Sequence, residues 1–328
     1  MTSGQSSRPR RALRPVERAR LADAAELYWV RGKKVEEVGT ELGVSRSTVS
    51  RMLARARETG VIQFIVHHEE SPTDQLRREV EQRYGVLAVV APIERPGTAR
   101  ARMLAVAGQT AAWLDAFIRP GVVLDVAWGS TVENISLQLR PHPTPGMQIV
   151  QLHGSGNVAT LGTNYANLIL DRIGSAFDAR VHYFPVPAFF DSASTRAAMW
   201  REKSIQQVLD LRARADLLLT SVGTPDGELP GHLYDSGYLT SADLEQMERE
   251  HVVGNLGGIF FRTDASTDRI SVNERSTGLP FDELRRIKRR LLVVADPAKS
   301  PAIRTVLGAG LMTDVVLDAA TAQAIVDG

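Results

Sequence analysis

The sequence predicts an α/β protein: a small all-helical unit at the N-terminus, then a doubly wound, mostly parallel sheet. Two observations carry this. From about Ser71 onward, near-continuous apolar strands alternate with amphipathic helices, the pattern of a parallel sheet covered on both faces. Before that, three helical patterns and one β-rich run crowd between residues 16 and 67. A chain of 328 residues is also too long for one small core.

In the first unit, Val16, Leu21, Ala25, Leu27 and Tyr28 fall at helical spacing within residues 16 to 31. A second helix reads "VEEVGTEL", from Val35 to Leu42, and stops at Gly43. The third starts after Ser45, a good N-cap, and runs to about Thr59 before Gly60. "VIQFIVH" then reads as a strand, and the domain boundary is expected between residues 66 and 74. Beyond it come the helix "TDQLRREVEQRYG" and the strand "VLAVVAPI". The strand "GVVLDVAWG" leads to "STVENISLQL", "MQIVQL" to a helix after Thr160, and "RVHYFPVPA" to the helix "STRAAMWREKSIQQVLDLRAR". The rhythm closes with "DLLLTSVG" and "SADLEQMERE", "RRLLVVAD" and "SPAIRTVLGAG", and "DVVLD" and "ATAQAIV".

Composition narrows the function. With no cysteine, disulfides and thiolate metal sites are excluded, and the seven histidines show no HExxH spacing, so no metal or cofactor is expected. No apolar run approaches the ~20 residues of a membrane span, and the basic start lacks the apolar stretch of a secretory signal. A cytoplasmic protein is expected. The net charge of +1 hides an asymmetry: residues 1–60 carry a surplus of six positive charges, leaving the body mildly acidic. Residues 1–14, with Arg8, Arg10, Arg11 and Arg14, read as a disordered basic arm, and a basic end implies a polyanionic partner.

The third helix points to what that partner is. Val38, Leu42, Val44, Val49 and Met52 have the spacing of two helices crossing steeply at a tight turn, with Gly43 in the turn and Gly39 at the close approach. Left outward are Ser45, Arg46, Ser47, Thr48, Ser50, Arg51 and Arg55. Short hydroxyls permit close approach to a phosphate backbone, and arginine can fork onto a guanine edge in the major groove. A solvated surface helix is the bland alternative, but it leaves the turn glycine, hydroxyl–arginine face and basic arm to coincide by chance.

A second constellation lies at strand ends, where ligands of open α/β sheets sit. One strand closes on Trp128-Gly129-Ser130-Thr131, the next on His153-Gly154-Ser155-Gly156-Asn157, a third on Gly223-Thr224, and Lys299 stands near a later helix start. Each alone is more often structural than functional. Together, glycine turns, hydroxyls and one lysine suit a small, anionic, polyhydroxylated ligand.

These residues carry a resemblance. "AELYWVRGKKVEEVGTELGVSRSTVSRMLARARETGVI", then "AWGST", "VQLHG", "FPVPA", "GNLGG", "AKSPAI" and "VVLDAATA" in order, resemble the SorC family of bacterial sugar-responsive transcription regulators over nearly the whole chain. The resemblance implies a winged helix-turn-helix over residues 15–68. It implies a sugar- or sugar-phosphate-binding and oligomerisation domain over 69–328, similar to sugar-phosphate isomerases and deaminases. It further implies operator DNA as partner, a sugar, polyol or phosphosugar effector, and a dimer or tetramer. By position, Gly129, Ser130 and Thr131 match the loop near the ligand, His153 and Gly154 its neighbour, and Lys299 a lysine near phosphate. The chain departs at Gly257-Gly258, where the family usually has Gly-Asp, and at Asp296-Pro297, where it usually has Gly-Gly.

The alternative is an isomerase- or deaminase-like enzyme carrying a DNA-binding module. That chemistry needs a positioned base, often a carboxylate. Asp125 lies inside an apolar strand, Asp318 is placed to cap the last helix, and neither Asp226 nor Asp296 pairs with His or Lys at short spacing. Binding without turnover is the expectation, with no catalytic residue.

Overall fold

The computed structural model describes residues 15–59, 61–62, 71–92, 97–157, 163–228 and 231–328. The chain divides into two compact units, Met1–Glu69 and Glu70–Gly328. The basic arm and most of the expected strand "VIQFIVH" lie outside the described residues.

In the first unit, α1 (Pro15–Ala25) continues through a wider π-helical turn, Glu26–Val30, before α2 (Val35–Leu42) and α3 (Arg46–Glu58). Ala24, Leu27, Val38, Val49 and Leu53 form the buried core. Gly43 takes φ +63°, and the amide of Val44 donates to Gly39 O at 2.9 Å, closing α2 and turning the chain into α3. A side chain at Gly39 would place its Cβ 2.8 Å from Val44 O, so this position needs glycine for close approach.

The second unit opens with α4 (Pro72–Tyr84), β1 (Leu87–Ala91), α5 (Ala99–Phe117), β2 (Val123–Val126) and α6 (Ser130–Ser136). It continues through β3 (Gln148–Gln151), α7 (Thr163–Phe177), β4 (Arg180–His182), α8 (Ala193–Met199), α9 (Lys203–Arg212) and β5 (Leu217–Thr220). Then come β6 (Val222–Gly223), α10 (His232–Asp235), α11 (Ser241–Arg249), β7 (Gly254–Leu256), β8 (Ile259–Phe261) and α12 (Phe281–Leu284). Last are β9 (Arg289–Val294), α13 (Ser300–Gly308), β10 (Asp314–Asp318) and α14 (Ala319–Val326).

Among the described residues the main sheet has seven strands in the order β1-β10-β9-β5-β2-β3-β4, every neighbouring pair parallel. Alternate strand residues enter opposite cores. Leu292 and Val294 meet α4, α9, α13 and α14 on one face, while Leu291 and Val293 meet α5, α6 and α7 on the other. That double burial is why the strands read as unbroken apolar runs. From β2 the chain steps outward to β3 and β4, then returns to place β5 on the other flank of β2. The switch point therefore lies between β2 and β5.

Three expectations change in detail. The long helix expected over 194–214 is two helices, broken at Trp200–Glu202. The strand over 180–188 shortens to β4, and the remainder turns against Gly154 and Gly156. The end of "DLLLTSVG" leaves the main sheet and pairs as β6 in a small antiparallel sheet, β6-β7-β8.

Because the atom that crowds Gly39 is a backbone carbonyl, Gly39→Ala is expected to destabilise the first unit by about 1–3 kcal/mol. Calorimetry should show its transition falling while that of the second unit stays in place; an unmoved first transition would refute the close-packing argument.

Candidate functional site

The exposed face of α3 follows from its buried one. Val49, Leu53 and Ala56 are buried and Met52 is half-buried, so at ~100° per residue the opposite face centres on Ser47, Ser50, Arg51 and Ala54. Ser45 caps the helix, its Oγ accepting from the Thr48 amide at 3.3 Å and lying 3.0 Å from Ser47 Oγ and 2.9 Å from Thr48 Oγ1. Ser45, Arg46, Ser47, Ser50, Arg51 and Arg55 are exposed, and Thr48 is half-buried.

The arginines are not equivalent. Arg46 pairs with Glu36 of α2 at 3.2 Å, and Arg55 with Glu17 of α1 at 2.7 Å. Both stand at the flanks of the face, tied to neighbouring helices. Arg51 stands near its centre and donates within its own helix, to Ser47 O and Thr48 Oγ1, each at 3.4 Å. Arg57, also exposed, was missed by the sequence reading, as was Ala54, whose small side chain leaves the centre of the face flat.

In the second unit a cleft open to solvent lies at the switch point. Trp128, Gly129, Ser130, Thr131, His153, Gly223 and Lys299 line it, and so do Ser221, His232, Asn255 and Gly257. Gly129, at φ +143°, turns β2 into α6 and leaves Ser130 and Thr131 at the helix start. The antiparallel register sets Asn255 opposite Gly223, where any Cβ would fall 2.5 Å from Asn255 Nδ2. Gly223 thus admits the buried Asn255 amide to the cleft wall.

Gly154, Ser155 and Thr224 lie outside the lining. Gly154 donates to Thr277 Oγ1 at 3.0 Å and packs on the Val186 and Pro187 carbonyls, while Ser155 donates its amide to Val186 O at 3.2 Å. Their work is to seat the loop after β3. Thr224 is buried, its Oγ1 without a partner among the described residues. Of the missed residues, Asn255 and Gly257 lie inside the quoted "GNLGG" and Ser221 inside "DLLLTSVG", but the small sheet is what brings Asn255 to the cleft; His232 reaches it through the α10 segment.

Aromatic rings wall one side: Trp128 lies 4.9 Å from His153, 5.9 Å from His232 and 5.2 Å from Tyr238, and Tyr165 stacks on His232 at 4.5 Å. Burial pushes the His153 imidazole down to about 4. Lys299 is 7% exposed, yet its ammonium has no hydrogen-bond partner among the described residues. Burial pushes its pKa down, with Asp296 opposing. A buried cation is costly unless a counter-charge meets it. Beneath the cleft, Arg212 donates to Leu152 O at 2.8 Å and Thr277 O at 3.2 Å, bracing the loop after β3 from inside the core. Asp125 is buried in β2, and desolvation pushes its carboxyl up to about 8 against the pull of Arg212. Asp318 caps α14 through the amides of Ala320 and Thr321. No carboxylate is among the described residues that line the cleft.

A helix-turn-helix unit joined to a doubly wound α/β unit with a ligand cleft at its switch point defines a ligand-binding DNA-binding regulator. Comparison with known proteins agrees. Residues 69–327 match the family model described as "Putative sugar-binding domain", and residues 14–65 match the homeodomain-like helix-turn-helix model. The deoxyribonucleoside regulator of Bacillus subtilis (strain 168) is 25% identical over 305 residues, covering 93% of this chain and 96% of that one. The structure of a domain of a "possible sugar-binding transcriptional regulator" from Arthrobacter aurescens TC1 is 39% identical with a TM-score of 0.73, over 80% of this chain and 100% of that one. Full-length sorbitol operon regulator SorC from Klebsiella pneumoniae shares the fold, with 20% identity and a TM-score of 0.71, over 95% of this chain and 99% of that one. The chain belongs to the SorC family of sugar-binding transcriptional regulators. It is a DNA-binding regulator, not an isomerase or deaminase carrying a DNA-binding module.

His153 generates a pH prediction. Its folded value, about 4, lies below the ordinary 6.5, so the folded state takes up a proton less readily than the unfolded chain. The stability at stake is fully present above pH 6.5 and is lost as pH falls towards 4, a change on the order of a few kcal/mol. His153→Gln should flatten this part of the melting-temperature profile. An identical acid limb in both proteins would place the imidazole in water.

Proposed function

We propose that the protein represses a carbohydrate or polyol catabolic operon in the cytoplasm and is released or rearranged on its operator by a small sugar, polyol or sugar-phosphate effector. The single observation that carries this reading is Lys299, a buried side chain whose ammonium, without a hydrogen-bond partner among the described residues, lines a cleft of hydroxyl, amide and aromatic groups. An anionic group on the effector would offset the cost of burying that charge.

In this reading residues 15–68 form the DNA-binding unit, preceded by the basic arm 1–14, and residues 69–328 form the effector and oligomerisation unit. A homodimer or homotetramer presents paired α3 helices to a pseudo-palindromic site, one or more turns of DNA apart. Arg51, Ser47 and Ser50 face base edges and nearby phosphates. Arg46, Thr48, Arg55 and the Ser45-capped helix start meet the backbone on either side. Trp128, Gly129, Ser130, Thr131, His153, Gly223 and Lys299 surround the effector, with Gly154, Ser155 and Thr224 shaping the loops behind them. The effector acts by binding one subunit arrangement more tightly than the other, and its leverage equals that difference in affinity.

Two variants separate the functions. Arg51→Ala should weaken binding to the promoter fragment by about 1–3 kcal/mol, more than Arg55→Ala does, with sugar-phosphate binding unchanged. Lys299→Met should leave DNA binding intact and abolish the response to phosphorylated sugars in the same anisotropy assay. If either variant loses both activities while its melting profile is preserved, the division of labour is wrong.

A further inference from the structure

We propose that His153 is the fixed hydrogen-bond acceptor of the cleft, its Nε2 lone pair selecting an effector that presents a hydroxyl group to it. The inference rests on the effector reading above and deepens it.

The tautomer follows from geometry. His153 Nδ1 lies 3.1 Å from Gly154 O. A carbonyl oxygen can only accept, so Nδ1 carries the hydrogen. In a neutral imidazole the other nitrogen is then bare. Neutrality follows from the surroundings: the residue is 3% exposed, the Arg212 cation lies near it, and no carboxylate is among the described residues that line the cleft.

The ring is also held still. Its own carbonyl accepts from Trp128 Nε1 at 3.2 Å and Gln151 Nε2 at 2.7 Å, which fixes the backbone. Trp128 packs on one side of the ring, and the backbone of Gly258 lies close by, where a Cβ would stand 3.5 Å from His153 Cγ. Nε2 has no hydrogen-bond partner among the described residues and is not among the atoms sealed from solvent, so its lone pair opens on the cleft that His153 lines. A preset acceptor of this kind favours a ligand O–H. It penalises a carbonyl, carboxylate or deoxy carbon at the same point, because the acceptor is then left unpaired or opposed. With Lys299 as the cation, the cleft reads two features of one molecule: an anionic group and a hydroxyl placed at His153.

The test uses the full chain labelled with ¹⁵N-histidine, with His153→Gln identifying the resonances. Long-range ¹H–¹⁵N correlation at pH 7.5 should show His153 as the Nδ1–H tautomer. Glucose 6-phosphate, ribose 5-phosphate and their 2-deoxy counterparts are then added. At least one should bind and shift Nε2 as it becomes an acceptor. His153→Phe should weaken that binding about tenfold or more, and His153→Gln, which keeps an acceptor oxygen, should restore most of it. An Nε2–H tautomer or an imidazolium overturns the inference alone. So does a sugar phosphate whose binding requires Lys299 but leaves Nε2 unmoved. If none of the four binds, the sugar-phosphate reading of the Lys299 cleft fails and takes this inference with it.

Discussion

The cleft exists because β2 and β5 are hydrogen-bonded neighbours whose chains part at their carboxyl ends. After β2 the backbone turns at Gly129 into α6, which packs on one face of the sheet; after β5 it leaves the sheet altogether to form β6. A parallel sheet demands such crossovers, and where their direction reverses no helix can cover the strand ends. Everything that lines the cleft is positioned by that reversal: Ser130 and Thr131 by α6, Gly223 and Asn255 by the small sheet, and Lys299 by the turn after β9.

Rigidity comes from polar groups that elsewhere would be liabilities. Arg212, buried in the core, ties the carbonyls of Leu152 and Thr277; Thr277 Oγ1 accepts from Gly154 and donates to Ala188 O. The loop after β3 is therefore held from beneath before any ligand arrives. Arg212 contributes little to net stability by being buried. Its value lies in fixing a loop whose side chain, His153, lines the cleft. Lys299 is the complementary case, a charge without a hydrogen-bond partner among the described residues.

Much of this was legible in the sequence where one local rule acts alone. Ser45, Gly43 and the Val38–Leu42–Val49 spacing each specify one feature of the first unit, and all agree. The strands β2, β5, β9 and β10 are apolar on both faces and could be read directly. The nineteen residues of α5 escaped notice because Ala, Val, Met and Trp side chains are spread around it, blurring the stripe that marks an amphipathic helix. The antiparallel β6-β7-β8 sheet was missed because its strands are two or three residues long, too short for an alternation to show. That loss propagated to the cleft. Asn255 meets Gly223 through non-local pairing, and no spacing in the sequence announces it. In α3 the residue types were readable, but the ion pairs that set Arg46 and Arg55 apart from Arg51 depend on Glu36 and Glu17 of other helices.

The central claim is that one small molecule both occupies this cleft and changes how the protein holds DNA. It is tested most directly by a thermal-shift screen of the full chain against sugars, polyols and their phosphates, each hit then being titrated into the protein bound to its own promoter fragment. A ligand at a hundredfold its Kd adds about 2.7 kcal/mol of stability, enough to raise the melting point by several degrees. The account predicts a phosphorylated sugar that does so and shifts the DNA-binding curve in the same concentration range. A hit that stabilises the fold yet leaves the DNA-binding curve unmoved, or that is consumed in the assay, would contradict it.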